Sequence, residues 1–233
     1  MGSRHNARTP AAMKVSAELT AVEPRWPVGL TTLVVLFLLV ALPGRIRLLP
    51  VWVLYIVGFA VLAPMVAVGL GPAKTLWRRI ERVVTLLFVA TAGAATLGTL
   101  AYLIAAMVRG YVGVEGLQLL TSSVGVWITN VLIFSLLYWQ TDRGGPNTRS
   151  SGVIPKPDVY FSQESVPAEV LRPGWRPAFI DYLFLAFSTA TAFSATDAMP
   201  LTPRAKIMMM LESLISLITI VVVAARAINI IGP

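Results

Sequence analysis

The sequence predicts an all-α integral membrane protein with about five transmembrane helices and a re-entrant pore-type helix and loop before the last helix. Three observations predict this fold class. Of the 233 residues, 56% are hydrophobic and 13% are charged, with a mean hydropathy of +0.75, a composition that a soluble domain of this size would not solvate. Uncharged apolar runs recur along the chain. One run before the last helix carries carboxylates and hydroxyls that suit neither lipid nor an ordinary span.

The first 27 residues predict a polar tail without a cleavable signal peptide, because no apolar segment precedes Pro27. The chain has no cysteine and one histidine, His5. This excludes thiol chemistry, disulfides and a histidine-ligated haem or metal. We therefore expect no cofactor and no bound metal. Because no carboxylates pair closely in sequence, we also expect no enzymatic activity.

Residues 28–140 predict a four-helix transmembrane region, since about 20 apolar residues are needed to cross a hydrocarbon core of roughly 30 Å. Pro43-Gly44 and Gly71-Pro72 separate the first three runs. With the final helix included, the predicted spans are Val28–Leu42, Leu48–Leu70, Val83–Val108, Leu117–Gln140 and Ile207–Ile231.

A polar loop is predicted at 141–177. The fourth span ends in LLYWQTDRGGP, where Tyr138 and Trp139 suit the headgroup layer, as does Trp175 further on. The loop is rich in Pro, Gly and Ser and shows no regular apolar period. A loop of this length inside a compact protein usually shapes a functional or interfacial region.

Residues 178–233 predict a pore-loop-like hairpin followed by the last helix. From Asp181, the run DYLFLAFSTATAF supplies a short apolar-aromatic helix, and the segment from Phe193 to Asp197 follows it as non-helical chain. Within hydrocarbon, non-helical backbone persists only where protein covers it or where it lines water. Thr202 is placed to cap the helix that opens near Pro203.

Hydroxyls, carbonyls and a ring of carboxylates are the groups from which ion pathways are built. The predicted ion-lining residues are Thr191, Phe193, Ser194, Thr196 and Asp197, with Ser188 and Glu212 in supporting positions. Each has an alternative interpretation. The hydroxyls are also suited to hydrogen bonds between helices, Asp197 to an interfacial N-cap, and Glu212 to an ion pair with Arg204 or Lys206.

The stretch FSTATAFSATDAMPLTPRAK, followed by LESLIS and AAR, resembles the pore loop and inner helix of bacterial two-transmembrane-type potassium channels. The chain also resembles an uncharacterised bacterial multi-span membrane protein family that shares YWxxDRGGP and TAFSxTD. The first resemblance implies a homotetramer around a cation pathway. The filter departs from it, because Ala192-Phe193-Ser194-Ala195-Thr196-Asp197 stands where a potassium filter has two glycines. Selectivity would then come from hydroxyls and the Asp197 ring.

The sequence therefore predicts a homo-oligomeric, channel-like pore in the cell inner (plasma) membrane, with several passes. Its expected partners are the lipid bilayer, copies of itself, and monovalent or divalent cations. Nucleic acid is not expected, since the basic residues behind the net charge of +8 lie beside the spans. The alternative function is a non-conducting membrane scaffold that retains a degenerate channel hairpin for oligomerisation.

Charge bias leaves two arrangements open. The tail, the connector from Lys74 to Arg82 and the 141–177 loop hold thirteen of the nineteen Lys and Arg residues, so the positive-inside rule favours placing all three in the cytoplasm. In that arrangement Phe179–Met199 is a sixth full span, and both termini lie inside. A channel-type hairpin instead predicts that the 141–177 loop lies outside, and we favour the hairpin.

Overall fold

The computed structural model of the chain describes residues 24–44, 47, 50–69, 75–108, 116–149, 156–167, 169–171, 175–194 and 197–231. These residues are mostly helical, as predicted, with one short two-stranded ribbon. The helices are α1 (Trp26–Ala41), α2 (Val51–Gly69), α3 (Thr75–Val108), α4 (Gly116–Thr141), α5 (Pro146–Arg149), α6 (Phe179–Ala192) and α7 (Pro203–Ile231); the strands are β1 (Val159–Phe161) and β2 (Ala198–Pro200).

Three helices are long and apolar enough to cross a membrane, over Leu76–Ala106, Leu120–Gly144 and Pro203–Ala225. Helices α1, α2 and α6 are apolar but shorter. α1 and α2 pack as an antiparallel hairpin. The Leu36 side chain lies over Gly58, where a Cβ would meet it at 2.7 Å, so a glycine at this position permits the close approach of the two helices.

Helix α4 lies at the centre and packs against α1, α3, α6 and α7. This position buries Tyr138 and Trp139 almost completely. The prediction that they anchor the chain in the headgroup layer is therefore wrong. Trp139 packs edge-on against Phe179, with ring centroids 6.3 Å apart. Trp175, also predicted to anchor the chain in the headgroup layer, is half-buried and packs edge-on against Phe161.

Several helices begin or finish on the same side of the bundle, where the polar connectors contact them. We call this side the loop end. Asn147 accepts a hydrogen bond from Arg25, just before α1, and donates one to the carbonyl of Arg78 in the first turn of α3. Arg204, in the first turn of α7, donates to the carbonyl of Thr141 at the end of α4. The starts of α1, α3 and α7 therefore lie beside the end of α4.

The described part of the 141–177 segment has structure that the sequence pattern did not reveal. A 3-10 turn, Asp142–Gly144, precedes α5, and a second, Ser162–Ser165, follows β1. Strand β1 pairs antiparallel with β2, with Tyr160 opposite Met199.

The chain reverses after α4 through three successive residues with positive φ, Arg143, Gly144 and Gly145. A Cβ on Gly145 would lie 2.7 Å from the carbonyl oxygen of Gln140. This turn therefore requires glycine at position 145.

Candidate functional site

Helix α6 is short and has a defined beginning and end. The Asp181 carboxylate accepts a hydrogen bond of 2.7 Å from the amide of Ala178, which satisfies one of the unpaired donors at the start of the helix. The helix ends where Phe193 adopts the left-handed conformation, with φ of 55°. Fourteen residues give a helix about 21 Å long, shorter than the hydrocarbon core of about 30 Å.

After α6 the chain returns towards the start of the same helix. Asp197 and Ala198 line one small cavity together with Asp181 and Leu185, which belong to the first two turns of α6. Strand β2 is held there by β1, whose Phe161 packs edge-on against Tyr182 of α6 at 5.4 Å. The segment 179–199 is therefore a hairpin with both ends at the loop end, not a straight helix.

The predicted ion-lining residues that the structure describes are exposed at or after the tip of this hairpin. Thr191, Phe193, Ser194 and Asp197 are all exposed, and the Phe193 side chain is 44% exposed. The Thr191 hydroxyl donates to the carbonyl of Phe187 at 2.7 Å. Thr196 lies outside the described residues. Phe193 and Ser194 line the open groove against α7, whereas Asp197 lines the small cavity beside Asp181.

Part of the backbone after the tip is hydrogen-bonded to the two-stranded ribbon. The carbonyl of Asp197 accepts a hydrogen bond of 3.0 Å from the amide of Ser162, next to β1. The Ser188 side chain, predicted to support the hairpin, is buried and lines the same cavity as Asp181 and Asp197. Ser188 thus faces the returning strand from within α6.

Asp142 is the centre of a buried polar network that fixes the hairpin to α4. One carboxylate oxygen accepts the amides of Asp158 and Val159 at 2.8 and 3.2 Å. The other accepts the Tyr182 hydroxyl of α6 at 2.7 Å and the Arg143 side chain at 3.2 Å. Since Asp142 is 1% exposed, four hydrogen bonds offset the loss of its hydration.

Asp158 continues the network to the start of α7. Its carboxylate accepts the Thr202 hydroxyl at 2.7 Å and forms an ion pair with Arg204. The Thr202 hydroxyl in turn accepts the amide of Ala205 at 3.3 Å, which confirms the prediction that Thr202 caps the last helix. The alternative in which Asp197 is the interfacial N-cap is wrong.

Arg149 is a buried cation within the same network. Its guanidinium donates to the carbonyls of Trp139 and Asp142, both at 2.9 Å. It also lies 5.7 Å from the ring centroid of Trp139 and 5.3 Å from that of Tyr182, distances at which cation–π attraction contributes. Arg149 therefore joins the end of α4 to the first turn of α6.

Glu212 lies fully buried in the middle part of α7. Its carboxylate accepts the Tyr138 hydroxyl of α4 at 2.6 Å. Asn130, two turns away on α4, donates to the Glu212 carbonyl at 3.2 Å and to the Ser216 hydroxyl at 3.0 Å. The alternative in which Glu212 pairs with Arg204 or Lys206 is wrong.

Helix α7 also reaches the hairpin directly, through the residue after Glu212. The Ser213 hydroxyl donates to the carbonyl of Thr189 in α6 at 3.3 Å. Glu212 thus contacts α4 and Ser213 contacts α6. Glu212 does not contact the tip of the hairpin. It supports the hairpin indirectly, because it helps to pack α7 against α4.

The residues that carry the network were not identified as site residues from the sequence. Asp142 follows an apolar run, where a charged residue normally marks a solvated helix end, and Arg149 and Asp158 lie within the polar loop. The signal that was available is the DRGG motif, because two consecutive glycines after a helix predict backbone that only glycine adopts readily. Tyr182 carries no sequence signal that separates it from other aromatic residues of α6.

Among the described residues, no group of three or more His, Cys, Asp or Glu side chains is placed to hold a metal ion. Comparison of the chain with protein-family models, with curated proteins and with solved structures finds no match. The interpretation of the site therefore rests on its geometry and chemistry.

Proposed function

We propose that the protein is a channel-like, homo-oligomeric membrane protein whose α6 hairpin lines a cation pathway. The observation that carries the proposal is that α6 and its returning strand form a hairpin that starts and ends at the loop end and leaves the non-helical backbone of Phe193 and Ser194 uncovered. Lipid does not satisfy such a tip, so protein or water must cover it. Copies of the same chain around a water-filled axis provide both.

In this proposal the chain crosses the plasma (inner) membrane five times, with α1, α2, α3, α4 and α7, and α6 enters without crossing. Helices α1 and α2 are 16 and 19 residues long, about 24 and 28 Å. These lengths are close to the core thickness of about 30 Å, and a bilayer accommodates a small mismatch by local thinning.

The pathway would be lined by side chains. The carbonyl of Asp197 accepts a hydrogen bond from the amide of Ser162. In the sequence, Ser194 and Thr196 stand where a potassium filter has its two glycines. A stack of free carbonyls of the potassium-channel kind is therefore not proposed. Hydroxyls of Thr191 and Ser194, together with the carboxylate of Asp197, would replace part of a cation's hydration shell. Such a pathway discriminates weakly among monovalent and divalent cations.

The oligomer would form through the face of α6 and α7 that the rest of the chain does not cover. An apolar groove runs between them, lined by Phe193 and Ser194 on one side and by Met210, Leu214 and Leu217 on the other. Four copies placed around an axis would bring four Asp197 carboxylates together. This proposal adopts the tetramer that the channel resemblance implies.

A specific observation favours the second candidate, a non-conducting scaffold that oligomerises through the same hairpin. Phe193 is an exposed aromatic residue at the tip, in a backbone conformation that bulky residues rarely adopt. Four such rings meeting on an axis would exclude water. The scaffold and the pore therefore differ in what fills the axis, and not in the fold of the subunit.

Cation flux into liposomes that contain the purified protein tests the proposal. We expect flux above that of protein-free liposomes. At low ionic strength, where charge steering of ions is strongest, Asp197→Asn should reduce it by about tenfold. Glu169→Gln is the matched control, since Glu169 is an exposed carboxylate outside the hairpin. An absence of flux at every ionic strength, with an intact oligomer, would favour the scaffold.

A further inference from the structure

Among the side chains that the structure describes, the basic residues lie almost entirely at one end. Of the eleven Lys and Arg residues whose side chains the structure describes, only Arg47 lies at the end opposite the loop end. It caps α1 by donating to the carbonyls of Val40 and Leu42. The other ten lie at the loop end: Arg25, Arg78, Arg79, Arg82, Arg143, Arg149, Lys156, Arg176, Arg204 and Lys206.

This asymmetry predicts orientation. Lys and Arg residues close to the ends of spans remain on the cytoplasmic side, and acidic residues contribute little to this preference. The ion pairs of Arg25 with Glu81 and of Arg204 with Asp158 therefore do not cancel the bias. Ten against one among the described side chains favours a single orientation.

The loop end also has the side chains that suit a headgroup layer. Trp26 and Trp77, in the first turns of α1 and α3, are 70% and 42% exposed, and Arg79, in the same part of α3 as Trp77, is exposed. Exposed tryptophans at helix ends are typical of the membrane interface. Exposed arginines next to them are attracted to anionic lipids, which are enriched in the cytoplasmic leaflet of a cell membrane.

We infer that the loop end faces the cytoplasm, and that the α6 hairpin therefore enters the bilayer from the cytoplasmic side, with anionic phospholipid headgroups around its mouth. A hairpin of the potassium-channel kind enters from the opposite side. Two premises that seemed incompatible in the sequence, a hairpin and a cytoplasmic 141–177 loop, are then both satisfied. The inference rests on the proposed five-crossing arrangement but not on conduction.

The proposed five crossings agree with the contacts at the loop end. Since α1, α3 and α7 all begin there and α4 ends there, the start of α1 and the end of α7 lie on opposite sides of the membrane. Because the α6 hairpin does not cross the membrane, the number of crossings stays odd. The sequence alternative with six crossings would put both ends on one side.

Single cysteines test the inference cleanly because the chain has none of its own. Ser165→Cys places an exposed thiol at the loop end, and Gln118→Cys places one in the first turn of α4 at the opposite end. Spheroplasts expressing each full-length variant are treated with a membrane-impermeant maleimide before and after permeabilisation. We expect Gln118→Cys to label in intact spheroplasts and Ser165→Cys to label only after permeabilisation.

Each other outcome contradicts the inference. Labelling of Ser165→Cys in intact spheroplasts, with Gln118→Cys protected, would show the reverse orientation. Labelling or protection of both would place the two ends on the same side and would refute the five-crossing arrangement as well. The result is independent of the flux assay, so a non-conducting protein with the expected labelling would remove the proposed pore and leave this orientation standing.

Discussion

Replacement of Asp142 by alanine should destabilise the protein more than any other single change to a carboxylate at the loop end. The side chain accepts hydrogen bonds from two amides of the β1 region, from the Tyr182 hydroxyl and from Arg143. A hydrogen bond to a charged group contributes about 1.5–3 kcal/mol, and buried donors left without a partner lower stability further. Arg143 keeps a second partner, Glu164, at 2.5 Å, so its share of the loss is small.

The expected loss is about 3–5 kcal/mol, the range measured when one partner of a buried charged network is removed. For a chain of this size, each kcal/mol lowers the melting temperature by about 2–4 °C. We therefore expect the melting temperature, measured in detergent by tryptophan fluorescence, to fall by roughly 6–20 °C. Glu169→Ala, at an exposed carboxylate in the same segment, should change it by less than about 2 °C.

The double variant Asp142→Ala/Tyr182→Phe tests whether the two side chains stabilise the protein through the hydrogen bond between them. Because both substitutions remove the same hydrogen bond, their effects should fall short of additivity by about 1–2 kcal/mol. Additive effects, or a melting temperature for Asp142→Ala equal to that of Glu169→Ala, would refute the reasoning that this carboxylate holds the hairpin to α4.

Three further substitutions test other parts of the account. Phe193→Gly should raise the free energy of unfolding by up to about 1 kcal/mol, because glycine adopts the left-handed conformation without strain; an unchanged or lower melting temperature would contradict this. Tyr138→Phe should lower stability by about 1.5–3 kcal/mol by leaving the buried Glu212 without its donor, and Tyr138→Phe in a Glu212→Leu background should change stability little; equal effects in both backgrounds would disprove the contact. Gly145→Ala should lower the yield of folded protein by several fold, since its Cβ would clash with a backbone carbonyl, whereas Gly125→Ala, inside α4 with open space around it, should stabilise the protein by about 0.5–1 kcal/mol.

The sequence predicted a mostly helical chain with long apolar helices, and the break after α6, because these depend on local pattern. Apolar runs of membrane-spanning length give the long helices. The order of a short aromatic helix, a hydroxyl-rich segment and a threonine followed by proline gives the hairpin and the cap at Thr202. Each of these features is set by residues that are neighbours in the chain.

The partners of the buried polar groups were not predictable in the same way. Glu212 lies within one or two turns of Arg204 and Lys206, yet its carboxylate contacts Tyr138, 74 residues away in sequence. Tyr138 and Trp139 end a span as interfacial anchors do, and only the packing of α6 and α7 against α4 buries them. The three-residue strand β1 is too short to show a period, and its pairing with β2 depends on the turn after α4.

Accessibility of the two ends of the hairpin tests the central claim most directly. Ala178→Cys lies just before α6 and Met199→Cys lies in β2, and both positions are exposed. If residues 179–199 enter the membrane and return, an impermeant maleimide should reach both thiols from the same side, in intact spheroplasts or only after permeabilisation. Labelling of one thiol from each side would show that the segment crosses the membrane, and would contradict the account.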